Sequence, residues 1–343
     1  MQKIIYSVLS ILISLIILFT VYLSTVGLET TRFNNIIINE IKKKESDVQL
    51  SLGKIKIKFD IKKIQIYLST ENPLIIYQNI KIPIKEINLY TKIISILKSK
   101  NEINQAIISA ENFNIKDIQK LAIRIKPSNF KTFLLNNINN GEVEKILINV
   151  KLGENLNIND YKVNGSLKKI NIEALKNLKI RDVSFNFISD RNLTLINSLK
   201  AKYQGILISN GSLSLKTDKQ KDIEGKFNSQ FDLSGREINK LVSTSNIKFL
   251  ENNNLSVKGS MIHNFKFKLD ENFKLVDYDY KSNGKILESQ IELKEKFKSQ
   301  FVEKQIKKFL ISKADISINL NNQNNNFLML EGLYNSGSTE NKK

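Results

Sequence analysis

The chain contains no cysteine, no tryptophan and a single histidine, His263, in 343 residues. Those absences exclude disulfide staples, a thiolate nucleophile, thiolate-bound zinc and any metal site needing two imidazoles. Proline occurs only three times, at Pro73, Pro83 and Pro127. A long meander of strands requires this, because proline cannot donate to a ladder. Alanine is nearly as scarce, at six residues, while isoleucine recurs throughout. Alanine is the best helix former and β-branched side chains suit a pleated surface, so the balance favours strands. Also missing are a P-loop, a dinucleotide-binding glycine pattern, G-x-S-x-G and H-E-x-x-H. A Ser-His-Asp site would have to use His263, whose alternating surroundings give it the character of a surface strand residue. Asp277-Tyr278-Asp279 has the character of two solvated carboxylates near a turn, not of a hard-cation site. Nothing marks out a pair of acids for glycoside hydrolysis. The expectation is a non-enzyme without cofactor or metal.

Acidic residues are also in deficit: 34 Asp+Glu against 53 Lys+Arg leave a net charge of +19. Such a balance invites nucleic acid, but arginine is scarce and the lysines are spread along the chain, alternating with isoleucine. No aromatic-basic platform of the RNA-binding kind occurs. Dispersed lysines protect sheet surfaces from edge-to-edge aggregation and attract anionic lipid headgroups by about 1 kcal/mol each near such a surface. Nucleic acid is not expected as a partner.

One run carries no charge at all. Ile4 to Leu28 are 25 consecutive uncharged residues, and about 20 suffice to cross a hydrocarbon core of about 30 Å. Tyr6 and Tyr22 lie near its two ends, where amphipathic rings prefer the interface. A cleaved signal peptide has an apolar stretch of only about 7–15 residues, and Ser24-Thr25-Val26-Gly27 is a poor small-residue cleavage site. Residues 1–28 are therefore expected to form an uncleaved anchor. The basic residues Arg32 and Lys42-Lys43-Lys44 are too distant to fix its orientation.

The remainder alternates. Ile55, Ile57, Phe59 and Ile61 are separated by Lys56, Lys58 and Asp60, and after Lys62-Lys63 the parity flips to Ile64, Ile66 and Leu68. One apolar and one charged face follow, with a bulge or tight bend at the flip. Ile80, Ile82 and Ile84 resume the pattern, as do Ile87 with Leu89, Val183 with Phe185 and Phe187, Leu213 with Leu215, and Phe265 with Phe267 and Leu269. Asp315 to Leu320 closes the series. Asn140-Gly141, Asn164-Gly165, Asn210-Gly211 and Asn283-Gly284 are expected as hairpin turns, the first serving equally as a helix end. Glycine before apolar runs at intervals of about 20 to 35 residues suggests a repeated hairpin unit. Short helices are expected at Thr30–Glu45 (continuing from the anchor), Thr91–Lys98, Ser128–Asn139 and Phe297–Leu310. Asn321 to Asn326 should be a loop and Ser336 to Lys343 disordered.

The order of features in Met1 to Gln119 resembles the AsmA-like group of bacterial envelope proteins. The resemblance rests on the anchor, the helix after it, Leu52-Gly53-Lys54-Ile55-Lys56-Ile57, Leu68-Ser69-Thr70-Glu71-Asn72-Pro73-Leu74, Lys81-Ile82-Pro83-Ile84-Lys85-Glu86-Ile87, and Ser95-Ile96-Leu97. From Gly141 onward only the glycine-plus-alternation style is shared. The resemblance implies a single-pass inner-membrane protein with its bulk in the periplasm, and a role in moving phospholipid or maintaining the outer membrane, acting alone or with other envelope proteins. It carries no catalytic residue. The fold expected is mainly β: the transmembrane helix, an α+β module over 29–140, an elongated, curved antiparallel sheet over 141–320 forming a groove, and the tail 321–343. Acyl chains would lie against Ile55, Ile57, Phe59, Ile64, Ile66, Leu68, Ile82, Ile84, Phe185, Phe187, Leu213, Leu215, Phe265 and Phe267. A closed, dry core made of the same residues, in a protein that scaffolds an assembly, is the alternative.

Overall fold

The computed structural model describes residues 2–32, 34–92, 103–124, 129–153, 156–174, 178–217, 221–242, 254–271, 274–299, 302–323 and 325–336. They fall into two units: residues 1–126 with 143–165, and residues 127–142 with 166–343. Val143–Gly165 thus falls with the N-terminal unit, and Pro127–Glu142 with the second. One antiparallel sheet of 15 strands runs through the chain and does not close on itself, and a second sheet has three strands.

In the first unit, helix α1 (Gln2–Thr25) includes a stretch, Ile4–Thr25, that is long and apolar enough to cross a membrane and is not buried. Its two threonine hydroxyls are satisfied within the helix: Thr20 Oγ1 donates to Ile16 O and Thr25 Oγ1 to Val21 O, both at 2.8 Å. This is how a hydroxyl is tolerated where no water is available. The helix ends when the N–H groups of Val26 and Gly27 both donate to Tyr22 O, at 2.9 and 3.0 Å. Gly27 has φ +82°, the left-handed conformation that glycine adopts freely at a helix C-terminus. The chain then enters β1 (Leu28–Thr30) at once, so the next helix, α2 (Asn34–Lys44), is not a continuation of the anchor.

β1 pairs with β3 (Ile55–Asp60), and β3 forms a hairpin with β4 (Gln65–Glu71). The flip in parity at Lys62-Lys63 is this hairpin's turn. Asp60 Oδ1 accepts from the N–H groups of Lys62 and Lys63, at 3.0 and 3.1 Å. β7 (Ile84–Lys92) and β8 (Ile103–Asn114) continue the sheet, followed by helix α3 (Ile115–Arg124). β2 (Val48–Ser51), β5 (Leu74–Tyr77) and β6 (Ile80–Ile82) form the small sheet. Thr91 and Lys92, expected to begin a helix, end strand β7; the rest of that predicted helix lies outside the described residues.

Helix α4 (Asn129–Asn137) matches the expected helix before Gly141, whose proposed cap at Pro127-Ser128 lies outside the described residues. β9 (Ile138–Leu152) and β10 (Ile158–Ala174) are shared between the units. The second unit continues with β11 (Leu178–Ser189), β12 (Leu193–Tyr203), β13 (Ile206–Thr217) and β14 (Lys221–Leu233). Helix α5 (Gly235–Val242) precedes β15 (Asn254–Leu269), β16 (Leu275–Ser299), β17 (Val302–Asn321) and β18 (Phe327–Asn335). From β11 onward each strand pairs with the next in sequence.

Three expectations need correction here. All four Asn-Gly pairs lie inside strands, not at hairpin ends. At Asn210-Gly211 the asparagine has φ +50° in a bulge between Ser209 and Ser212. Asn283 accepts a hydrogen bond from Ser317 Oγ at 2.9 Å across the strands, and Gly284 faces Met261. The β12–β13 turn is instead Gln204-Gly205, with φ +45° and +87°, both positive as a two-residue turn requires. The described residues of the predicted helix Phe297–Leu310 are the end of β16 and the first half of β17, where Phe297 pairs with Ile306. Two register shifts there break the period of two, leaving a spacing that mimics a helix. Finally, the sheet does not end at Leu320, because β18 follows β17. Of the tail expected to be disordered, residues 337–343 lie outside the described residues.

Gly284 is the tightest seat in the sheet: a Cβ there would collide with Ser260 O and stand 2.7 Å from Met261 Cα. Backbone cannot retreat cheaply, so Gly284→Ala is expected to lower stability by about 1–3 kcal/mol in urea titration. Gly53→Ala, with nothing within 4 Å of the added carbon, should change it by less than about 0.5 kcal/mol.

Candidate functional site

The registers of the second unit place one row of side chains on one side of the sheet. Phe187 faces Ile196, Ile196 faces Leu213, Leu213 faces Gly225, Gly225 faces Phe265 and Phe265 faces Tyr280. The next row is Thr194, Leu215, Ile223, Phe267 and Tyr278. Phe185 shares this face with Phe187, its ring 6.3 Å away. Six of the predicted lining residues, Phe185, Phe187, Leu213, Leu215, Phe265 and Phe267, are thus brought together. The Phe265 ring lies over Gly225, where any Cβ would collide with it. Phe265 stacks on Phe267 with centroids 5.1 Å apart and meets the edge of Phe227 at 6.3 Å.

Between the Ile206–Phe231 row and the Leu215–Ile223–Phe267 row, this face carries no charged side chain on β11–β17. The opposite face alternates lysine with carboxylate: Lys266–Glu224 at 3.4 Å, Lys258–Asp232 at 3.2 Å and Lys202–Asp182 at 3.0 Å, all solvent-exposed pairs. Such pairs contribute little to stability. Their effect is to keep that face in water. A hollow of about 460 Å³ is bordered mainly by this charged side, including Glu224, Lys226, Lys266 and Lys281.

One end of the apolar face is covered by helix α5. Ile238 is buried with Leu233 and Leu255, and Leu241, Phe231, Val257, Ile206 and Ile291 pack around them. The helix starts with a capping box: Ser234 N–H donates to Glu237 Oε2 at 2.7 Å, and so does Ser234 Oγ–H. Those bonds hold the Glu237 carboxyl below its ordinary pKa. Sequence reasoning missed this helix, although Ser234-x-x-Glu237 before Ile238 and Leu241 signals it. A second buried cluster, Ile170, Val183 and Ala201, gathers Ile138, Phe185, Leu199 and Ile208. Elsewhere on β11–β17, no second sheet packs over this face among the described residues. The side chains of the Leu213 and Leu215 rows are half-buried.

His263 lies within this face. It is buried, not a surface residue as expected, because it shares parity with Phe265 and Phe267. Its Nε2 lies 2.7 Å from Ser229 Oγ, and its Nδ1 lies 2.8 Å from Tyr280 Oη and 3.0 Å from Ser282 Oγ. In the Nδ1–H tautomer, Ser229 donates to Nε2, Nδ1–H donates to Tyr280, and Ser282 donates to Ile262 O at 3.2 Å. Phe227 stacks on the imidazole at 4.3 Å. Burial pushes the histidine pKa down and the Tyr280 pKa up, so both remain neutral. Among the described residues no carboxylate joins the cluster as the third member of a nucleophilic triad.

In the first unit, a different set is gathered. Ile57 faces Leu68, Leu68 faces Leu89, and Phe59 faces Ile66; Ile55, buried, faces Thr70. Ile84 joins this face opposite Ala110. The other face of these strands holds Tyr67 stacked on Tyr90 at 4.8 Å, with the Lys63 ammonium 4.0 Å from the Tyr90 ring. Burial, then Asp60 nearby, pushes Tyr90 up to about 12. Two predicted lining residues are elsewhere. Ile64 is the last turn residue of the β3–β4 hairpin, at φ +53° and 69% exposed. Ile82 belongs to the small sheet, paired with Ile75.

Compared with known proteins, the chain matches no family model, no curated protein and no solved structure.

The histidine cluster gives this face an acid sensitivity. The folded imidazole resists protonation, whereas the unfolded one takes up a proton near its ordinary pKa of about 6.5. Stability is therefore full above about pH 6.5 and falls as pH drops toward the lowered folded value. Denaturant titrations between pH 7 and 5 should show this fall, and His263→Gln should flatten it while lowering stability at pH 7.

Proposed function

We propose that this protein is a single-pass protein of the bacterial inner membrane whose periplasmic sheet takes up phospholipid acyl chains on its open apolar face. The supporting observation is the absence of both charge and a covering layer on the Leu213–Phe265 and Leu215–Phe267 rows, among the described residues. Each methylene removed from water is worth about 0.8 kcal/mol, so one long acyl chain gains on the order of 10 kcal/mol on such a surface. The phosphate-bearing headgroup can stay in water at the margin, where lysines of the charged face are close by. The rings of Phe265, Phe267 and Phe227 provide area at low entropic cost, because two torsions fix each. No bond is made or broken in this role. It follows the AsmA-like resemblance of the N-terminal third, and helix α1 supplies the tether.

The test is photo-crosslinking in living cells from Leu213 and Phe267, with Lys226 and Asn264 on the charged face as controls. Lipid adducts, detected by mass spectrometry, are expected from the first pair and not from the second. The double variant Leu213→Asp, Phe265→Asp should lower phospholipid co-purifying with the full chain by about tenfold or more. Equal adducts from both faces, or none from either, would return the dry scaffold.

A further inference from the structure

β18 is the last strand of the large sheet, and among the described residues only one of its edges is paired. Natural sheets blunt a free edge with lysine, proline, bulges or very short strands. This chain does so elsewhere. The three-residue β1 ends the sheet at its other side, and β3 behind it carries Lys56 and Lys58. The part of β17 that extends past β18, residues 302–309, contains Glu303, Lys304, Lys307 and Lys308. β18 itself has neither lysine nor proline, and the one bulge in its ladder lies on the β17 side, at Lys313. In a chain with 53 lysines and arginines, Phe327–Asn335 holds none. Its first four residues are apolar and project to both faces, with Leu328 67% and Met329 54% exposed.

The single charge on β18 is misplaced for the sheet as it stands. Glu331 lies directly opposite Asp315, whose other neighbour is Lys285. Like charges opposite one another across strands are destabilising. Neither carboxylate has an ion-pair partner among the described residues. A strand added beyond β18 with a basic residue opposite Glu331 would remove that repulsion, and its alternate apolar residues would meet Leu330 and Leu328 on the other face. A second copy pairing through its own β18 would do the reverse, bringing two Glu331 and two Asp315 into one small region.

We propose that the free edge of β18 is a docking site for an extended, lysine-bearing segment of another polypeptide, which adds to the sheet as its sixteenth strand. Main-chain hydrogen bonds provide the attachment and Glu331 sets the register. This docking is independent of what the apolar face binds.

The test uses the detergent-solubilised full chain and two labelled peptides, Lys-Ile-Lys-Ile-Lys-Phe and Glu-Ile-Glu-Ile-Glu-Phe, followed by fluorescence anisotropy. The lysine peptide should bind more tightly by about fivefold or more, and Glu331→Lys should reverse the order, with Glu331→Gln between. Amides of Phe327–Asn335 should exchange hydrogen more slowly when the lysine peptide is present. Equal binding of the two peptides, or no binding, overturns the proposal. So does a concentration-dependent dimer in light scattering that Leu328→Lys dissociates, which would assign the edge to a second copy. Protection of the same amides by phosphatidylcholine vesicles alone, without peptide, would assign the patch to a membrane and overturn it as well.

Discussion

Hydrogen bonding between strands that are neighbours in sequence is the interaction on which the second unit depends. From β11 to β18 each ladder uses the strand before and the strand after, so every internal strand has both edges satisfied within one layer. Backbone groups need no second layer. Side chains do, because a sheet has two faces and only the charged one is at ease in water. Helix α5 supplies cover at one end. Over the remaining rows no second layer lies among the described residues, and Phe265 lies down on Gly225 and stacks with Phe267 instead of projecting outward.

The polar cluster around His263 works inside that constraint. An imidazole among phenylalanines costs stability unless its nitrogens are paired. Ser229, Tyr280 and Ser282, one strand away on either side, supply the partners. Such a network is satisfied only in one alignment of β14, β15 and β16, since a slip of one residue would turn the hydroxyls to the other face. The cluster therefore fixes register where aliphatic packing alone would be permissive.

Much of this is legible in the sequence, for a simple reason: period-two alternation reports which side of a strand is apolar. The pairs Phe185 and Phe187, Leu213 and Leu215, Phe265 and Phe267 fall on one face because parity alone assigns each of them. Parity does not report partners. Ile82 alternates as well as Ile84 does, yet it pairs with Ile75 in a separate sheet. Ile64 carries the alternation into a turn, where Asp60 has already captured the chain. Residue type puts His263 at the surface, although its parity with Phe265 says otherwise. The Asn-Gly pairs mislead because the same dipeptide suits a bulge, as at Asn210, or a close cross-strand contact, as at Gly284. Helix α5 is hidden by its brevity, with its capping box the one local signal. What lies over the apolar face depends on long-range placement, which no local pattern encodes.

The Gln204-Gly205 turn shows what sequential connectivity means for how the protein is made. Its two flanking strands need to close only a tiny loop, so they can meet on the microsecond scale of an isolated hairpin. Every later strand then finds its template already laid down by the one before. Assembly by successive addition keeps contact order low for an all-β protein and spares the chain the slow search that distant strand pairing imposes. A polypeptide delivered N-terminus first could zip up in the order in which it emerges.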